Sequence, residues 1–274
     1  MLGRALVWLA PDRSGRVCVV KASGFTPEVI STPALELAIQ GYGDVSEAVA
    51  DVYSDMGHTF YVLNFAEHTW VWDASTKLWA ERGTWIPEHK EFTAWRPRFY
   101  AHAFGEHRIL DSVTGHLYRM SPNLTLDVDG IPLRRLRRAP APSSENKRTF
   151  YSSFELDMEV GLGIAEGPAV RVRGYGGRDV QPDPGDWGDP MRRGVNVRPA
   201  SPGYDPQVML RISNDGGKTW IMEQMRPGGK IGEYVRRVRW NRLGSARRRV
   251  FEVTATDPIP WRWVAAYVEA SGRG

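Results

Sequence analysis

The sequence predicts an all-β protein: a partial β-propeller-like set of antiparallel blades, followed by a second β-rich, sandwich-like region that carries an Asp-box hairpin. Three observations predict it. Period-2 alternation of apolar and polar residues dominates up to about Leu126. Three hairpins in that half share one design, in which an aspartate heads a short turn of small and hydroxyl residues. Further β-prone segments then recur through the second half around a long polar stretch.

The three hairpins are LVWLAPDRSGRVCVV, TWVWDASTKLWAER and HRILDSVTGHLYRM, headed by Asp12, Asp73 and Asp111. Each aspartate is placed to bond turn amides, which favours chain reversal. The second and third hairpins stand roughly 40 residues apart, within the blade period of propellers. Trp70, Trp72, Trp79 and Tyr118 recur at matching places. Between the first two hairpins, TPALELAIQ opens with Thr32-Pro33 and has helical apolar spacing, which predicts a short helix inserted at a blade edge. Further strands are expected at Ala48 to Ser54, Thr59 to Phe65 and Arg98 to Phe104, with a turn at Gly57.

After RRLRRAPAPSSENKR the pattern changes, and the Pro/Ser-rich stretch Ala139 to Ser144 reads as a linker. The expected domains are residues 1–138, blades with the inserted helix, and residues 139–274, a β-rich C-terminal domain. Its strands are FYSSFELDMEVGLG, PQVMLRISNDG, RRVRWNRLG, RRRVFEVTATDP and WRWVAAYVEA. Residues 164–204, rich in Gly, Pro, Asp and Arg, are too long and polar for a core connection. They are expected to lie at an inter-subunit or adaptor contact, with Tyr175 and Trp187 as anchors and Arg178, Arg192 and Arg193 as polar rim contacts.

Composition narrows the function classes. A chain of 274 residues with 42% hydrophobic and 11% aromatic content can bury a core, so disorder is excluded as the default. Lys and Arg number 36 against 32 Asp and Glu, and the net charge of +4 means that any basic surface is local. The single cysteine, Cys18, excludes an internal disulfide framework. No apolar run approaches the ~20 residues of a membrane helix, so no membrane insertion by this chain is expected.

The motifs point to structure more than to chemistry. SNDGGKTW matches the Asp-box pattern through Ser213, Asp215, Gly217, Thr219 and Trp220. The Asp215 carboxylate is expected to bond turn amides, the glycines to allow positive φ, and Trp220 to pack back on the hairpin. Glu155, Asp157 and Glu159 alternate with apolar residues, which puts three carboxylates on one strand face. They suit a glycosidase pair or, as the preferred expectation, an ionic ladder with Arg171, Arg173, Arg237 and Arg239. Arg134, Arg135, Arg137, Arg138 and Arg247, Arg248, Arg249 are candidates for a subunit interface or a DNA channel. Asp179, Asp183, Asp186 and Asp189 match no calcium-loop spacing, and the six histidines lack metal-ligand spacing. No nucleophile elbow or phosphate loop occurs, and no catalytic residue, metal or cofactor is expected.

The runs GHTFYVLNF, TWVWDASTKLW, RRLRRAP, ENKRTFYSSFELDMEVGLG, DPQVMLRISNDGGKTW, GKIGEYVRRVRWNRLGSARRRVFEVTATDP and WVAAYVEA resemble, in order and over nearly the whole chain, the packaged-DNA stabilisation proteins of short-tailed bacteriophages. The resemblance implies a structural virion protein without catalytic residues, a tail accessory or nozzle subunit. Such a subunit sits in a homo-oligomeric ring below the portal and its adaptor, extends the channel, retains packaged DNA and later releases it. It is assembled in the host cytoplasm. Family members are longer at the N-terminus, so the resemblance implies that the chain is expected to correspond to a C-terminal portion. An Asp-box propeller that binds or hydrolyses glycans is the alternative reading.

Overall fold

The computed structural model describes residues 5–139, 147–161, 172–173, 179–180, 205–230 and 232–272. Contacts divide the chain into two compact units, Met1–Ser121 and Pro122–Gly274. In the first, β1 (Val7–Pro11), β2 (Val17–Ser23) and β3 (Thr26–Val29) form a three-stranded meander. A helix, α1 (Pro33–Gln40), follows where TPALELAIQ predicted one, and the Thr32 hydroxyl caps it by accepting from Leu35 N. Next come β4 (Val49–Asp55), β5 (His58–Asn64), β6 (Thr69–Asp73), β7 (Leu78–Ile86) and β8 (Glu91–Ala94), a five-stranded sheet in sequential order. The last meander is β9 (Pro97–Ala103), β10 (Glu106–Asp111) and β11 (Leu117–Met120).

The five-stranded sheet is apolar on both faces, which explains why β5 reads HTFYVLN rather than alternating with polar residues. Tyr61, Leu63 and Trp72 point to one side, into a core with Val19 of β2 and Leu35 and Ile39 of α1. Val62 and Val71 point to the other, with Tyr53, Tyr100 and Met120. Successive meanders thus stack face to face as blades do, with the helix wedged beside one of them.

Each turn aspartate bonds as its position predicted. Asp12 accepts from Ser14 N (2.7 Å) and Arg16 N (2.9 Å), and Asp73 from Ser75 N (2.9 Å) and Thr76 Oγ1 (2.8 Å). Asp111 accepts from Val113 N (3.1 Å) and Thr114 N (3.3 Å), and its buried carboxylate also takes two bonds from Arg96, at 3.0 Å from Nε. Arg96 above all, then the Thr114 and Val113 donors, hold Asp111 well below the usual carboxylate range.

The second unit is a two-sheet sandwich. Its strands are β12 (Arg135–Ala139), β13 (Thr149–Met158), a short pair β14 (Val172–Arg173) and β15 (Asp179–Val180), β16 (Gln207–Ser213), β17 (Ile221–Pro227), β18 (Val238–Ala246), β19 (Val250–Ala255) and β20 (Trp263–Gly272). One sheet runs β12-β19-β16-β17 and the other β18-β13-β20, and every ladder in both is antiparallel. Phe154, Leu156, Trp240 and Val238 from the second sheet interleave with Val208, Leu210, Ile212 and Phe251 from the first. The Trp240 indole donates to Gln224 O, which satisfies the one polar atom of the largest core side chain.

Candidate functional site

Period 2 along β19 sends Phe251 and Val253 into the sandwich and therefore turns Glu252 and Thr254 outward. The register sets Arg138 of β12 opposite Glu252 on one side and Arg211 of β16 opposite it on the other. Three adjacent strands therefore line up an Arg–Glu–Arg row. Arg138 Nε donates to Oε2 at 2.7 Å, and Arg211 Nε to Oε1 at 2.8 Å with a second bond from the same guanidinium. Trp220 lies over both guanidiniums, 5.0 and 5.3 Å from its ring centre. The Glu252 side chain is 0% exposed although it points away from the sandwich core.

Trp220 is brought there by the turn between β16 and β17. The Asp215 carboxylate accepts from Lys218 N (2.9 Å), Thr219 N (2.9 Å), Thr219 Oγ1 (2.6 Å) and Ser213 Oγ (2.6 Å). Gly217 N donates to Ser213 Oγ at 2.8 Å, and both Gly216 and Gly217 have positive φ, which a side chain would strain. The Ser213 hydroxyl foremost, then the Thr219 donors, hold the Asp215 carboxyl well below its ordinary range.

Next to that turn lies the one joining β18 and β19. Gly216 N donates to Arg248 O at 3.3 Å, and Asp215 and Arg248 form an isolated β-bridge. Arg249 projects inward from this second turn and is 1% exposed. Its Nε donates to Asn214 Oδ1 (2.8 Å) and its Nη1 to Leu243 O (2.7 Å), and its guanidinium rests 4.8 Å from the centre of the Tyr151 ring. Burial pushes its pKa down, yet a guanidinium this basic stays charged at neutral pH.

The other arginines singled out in the sequence divide in the same way. Arg134 and Arg135 are half-buried, and burial lowers the pKa of both. Arg137, Arg247 and Arg248 are exposed. Glu155 pairs with Arg237 at 2.9 Å and Arg239 at 3.7 Å, and Glu159 with Arg262 at 3.2 Å, so two of the three aligned carboxylates stand opposite arginines. Tyr175, Trp187, Arg171, Arg178, Arg192, Arg193, Asp183, Asp186 and Asp189 lie outside the described residues, as do the side chains of Arg173 and Asp179. Among the described residues, no group of three or more His, Cys, Asp or Glu is placed to hold a metal.

Glu252 and Arg211 had not been singled out in the sequence. A glutamate inside the apolar run RVFEVTA, an arginine in each of the segments RRLRRA and QVMLRIS and a tryptophan closing the turn are the signal that points to them. In the first unit, a hollow of about 220 Å³ is bordered by Lys21, Glu28, Trp72 and Lys77. That is below the ~300 Å³ at which small-molecule pockets begin.

The overall charge of +4 conceals an uneven distribution. Residues 1–121 carry 11 Lys and Arg against 14 Asp and Glu, a net of −3, and residues 122–274 carry 25 against 18, a net of +7.

Two family models match the chain. The one described as bacteriophage P22 Gp10, beta-propeller, covers residues 1–125, and the one described as bacteriophage P22 Gp10, beta-sandwich, covers residues 193–271. A comparison with curated proteins returned no match. The matched sandwich segment lacks β12 and β13, although β13 is the strand that joins β18 to β20, so the sandwich is completed by residues upstream of it. Stacked antiparallel meanders followed by a β-sandwich, matched in that order by the two domain models of one phage protein, place this chain in the packaged-DNA stabilisation family of short-tailed bacteriophages.

Proposed function

We propose that this chain is a non-enzymatic nozzle or hub subunit of a phage tail. In this reading it extends the portal channel as one member of a homo-oligomeric ring, contacts the portal adaptor and other tail proteins, retains packaged DNA and lets it out at ejection. The family is one of phage structural proteins, and a virion protein is what the chain is at that coarser level. The single observation that carries the finer reading is the matched order of propeller and sandwich. A tail fibre enzyme is not expected to carry that pair. We read Ser213, Asp215, Gly217, Thr219 and Trp220 as a fold-stabilising Asp box, because the oxygens of Asp215 are taken up by turn donors within the hairpin.

The test is reconstitution. Purified protein is expected to co-sediment with the portal–adaptor complex, and particles assembled without it are expected to lose their DNA. Particles that lack the protein and still keep their genome refute the reading, and glycan cleavage by the purified chain favours the carbohydrate-active alternative.

A further inference from the structure

One end of the sandwich gathers exposed cations that form no ion pair among the described residues. The β13 N-terminus lies beside the end of β18, because Thr149 pairs with Ala246. This places Arg148 next to the β18–β19 turn that carries Arg247 and Arg248. The bridge between Asp215 and Arg248 ties the β16–β17 turn, with Lys218, to the same end. All four side chains are exposed, and none forms an ion pair among the described residues. The acids nearby are already engaged: Asp215 by its turn, Glu252 by Arg138 and Arg211, and Glu269 by Arg239. The opposite end is different, because there Arg236 pairs with Glu233 and Arg262 with Glu159.

The turn that presents Arg247 and Arg248 is also held firmly. Arg249 anchors it from below through Asn214, Leu243 and the Tyr151 ring, and the β-bridge fastens it to its neighbour. Cations without such partners, carried on turns whose backbone is anchored, are free to meet a ligand of regularly spaced negative charge.

We infer that this end of the sandwich, through Arg148, Lys218, Arg247 and Arg248, binds the phosphate backbone of duplex DNA without reading its sequence. The inference rests on the tail reading above and adds to it the surface and the chemistry of DNA contact. Contacts to phosphate oxygens carry no sequence information, so binding that is independent of base sequence is expected. Contact through four phosphates gives a salt slope of about −3.6, so affinity falls about 150-fold between 50 and 200 mM salt.

The test uses the full chain and a 30-base-pair duplex of arbitrary sequence, followed by fluorescence anisotropy across that salt range. The variant Arg247→Ser/Arg248→Ser is expected to halve the slope, leaving a fall of about 12-fold over the same span. The conservative variant Arg247→Lys/Arg248→Lys is expected to keep most of the slope. The control Arg236→Ser/Arg262→Ser removes the same charge from the opposite end and is expected to bind as the parent does. A parent protein that does not bind duplex, a serine variant with the parental slope, or a control that loses as much overturns the inference. In particles, the Arg247→Ser/Arg248→Ser protein is expected at parental amounts with weaker DNA retention. Its exclusion from particles that do incorporate the parent assigns this surface to an acidic protein partner and overturns the DNA contact, while absence of the parent from particles defeats the tail reading itself.

Discussion

Replacing Glu252 by glutamine is the most direct probe of the sandwich's outer polar row. The change preserves shape and removes one negative charge that two guanidiniums share. The amide keeps one acceptor oxygen, so one arginine retains a partner and the other faces an NH2 group, donor against donor. Breaking a buried ion pair from one side costs about 3–5 kcal/mol. The arginine side chains are 55% and 28% exposed, which lets water offset part of that loss and brings the expected cost to about 2–3 kcal/mol. For a unit of about 150 residues this corresponds to roughly 5–10 °C in Tm. Thermal unfolding of the full chain by far-ultraviolet circular dichroism reads it, and the transition that moves is the one that belongs to the sandwich. Replacing the whole row with Arg138→Leu/Arg211→Leu/Glu252→Leu is expected to restore much of the loss, since no unpaired charge is left behind. If Glu252→Gln leaves every transition in place, or the triple variant is worse than the single one, the row is not held together by charge.

Arg249→Ala removes the packing against Tyr151 and strands Asn214 Oδ1 and the Leu243 carbonyl, so a loss of about 3–5 kcal/mol is expected by urea denaturation. Arg249→Lys restores only part of it, because one ammonium does not reproduce the planar fork that reaches both oxygens. Asp111 has a folded-state pKa depressed chiefly by Arg96, so its contribution is present above the unfolded carboxyl value near 4 and lost as pH falls through the depressed one. Asp111→Asn is therefore expected to flatten the decline of Tm below about pH 4, and an unchanged acid limb counts against the Arg96 contact. Asp215→Ala is expected to lower the Tm of the sandwich and to expose Trp220 to acrylamide quenching, with no change in quenching being the contrary result.

Much of the fold was legible because its local rules were strict. The turn aspartates at 12, 73 and 111, the Thr32 cap and the period-2 runs each act within a few residues, so the chain announces them one at a time. The first unit's central sheet was harder to read. FYVLNF carries no polar face, and only the packing on both sides of β5 explains it. The site was legible in its turn and illegible across its strands. SNDGGKTW encodes its own hydrogen bonds, whereas Glu252, Arg138 and Arg211 are 114 and 41 residues apart along the chain and meet only through register. The segment after Ala139 shows the same effect: a Pro/Ser-rich stretch reads as a boundary, while the contacts divide the chain at Ser121 and Pro122 and β12 pairs with β19 beyond it.

The arginine clusters carry the broader lesson about charge in β proteins. RRLRR looks like a single basic patch, but a strand points its neighbours to opposite faces, so Arg138 joins Glu252 on the outer face while Arg135 and Arg137 share the side of Ala255 and Val253. RRR at 247–249 is divided by its turn, with two side chains outward and one in the core. Counting arginines along the chain therefore overstates the surface available to a polyanion and misplaces it. Among the described residues, the exposed cations without an ion pair at the β18–β19 end of the sandwich are a smaller set, Arg148, Lys218, Arg247 and Arg248, contributed by three separate stretches of sequence. The arginines that look most like nucleic-acid ligands in the sequence partly serve to hold these in place. A mutation at Arg249 that weakens DNA retention is for that reason expected to act through the shape of the turn and to be accompanied by lost stability, whereas mutations at Arg247 and Arg248 weaken retention with the fold intact.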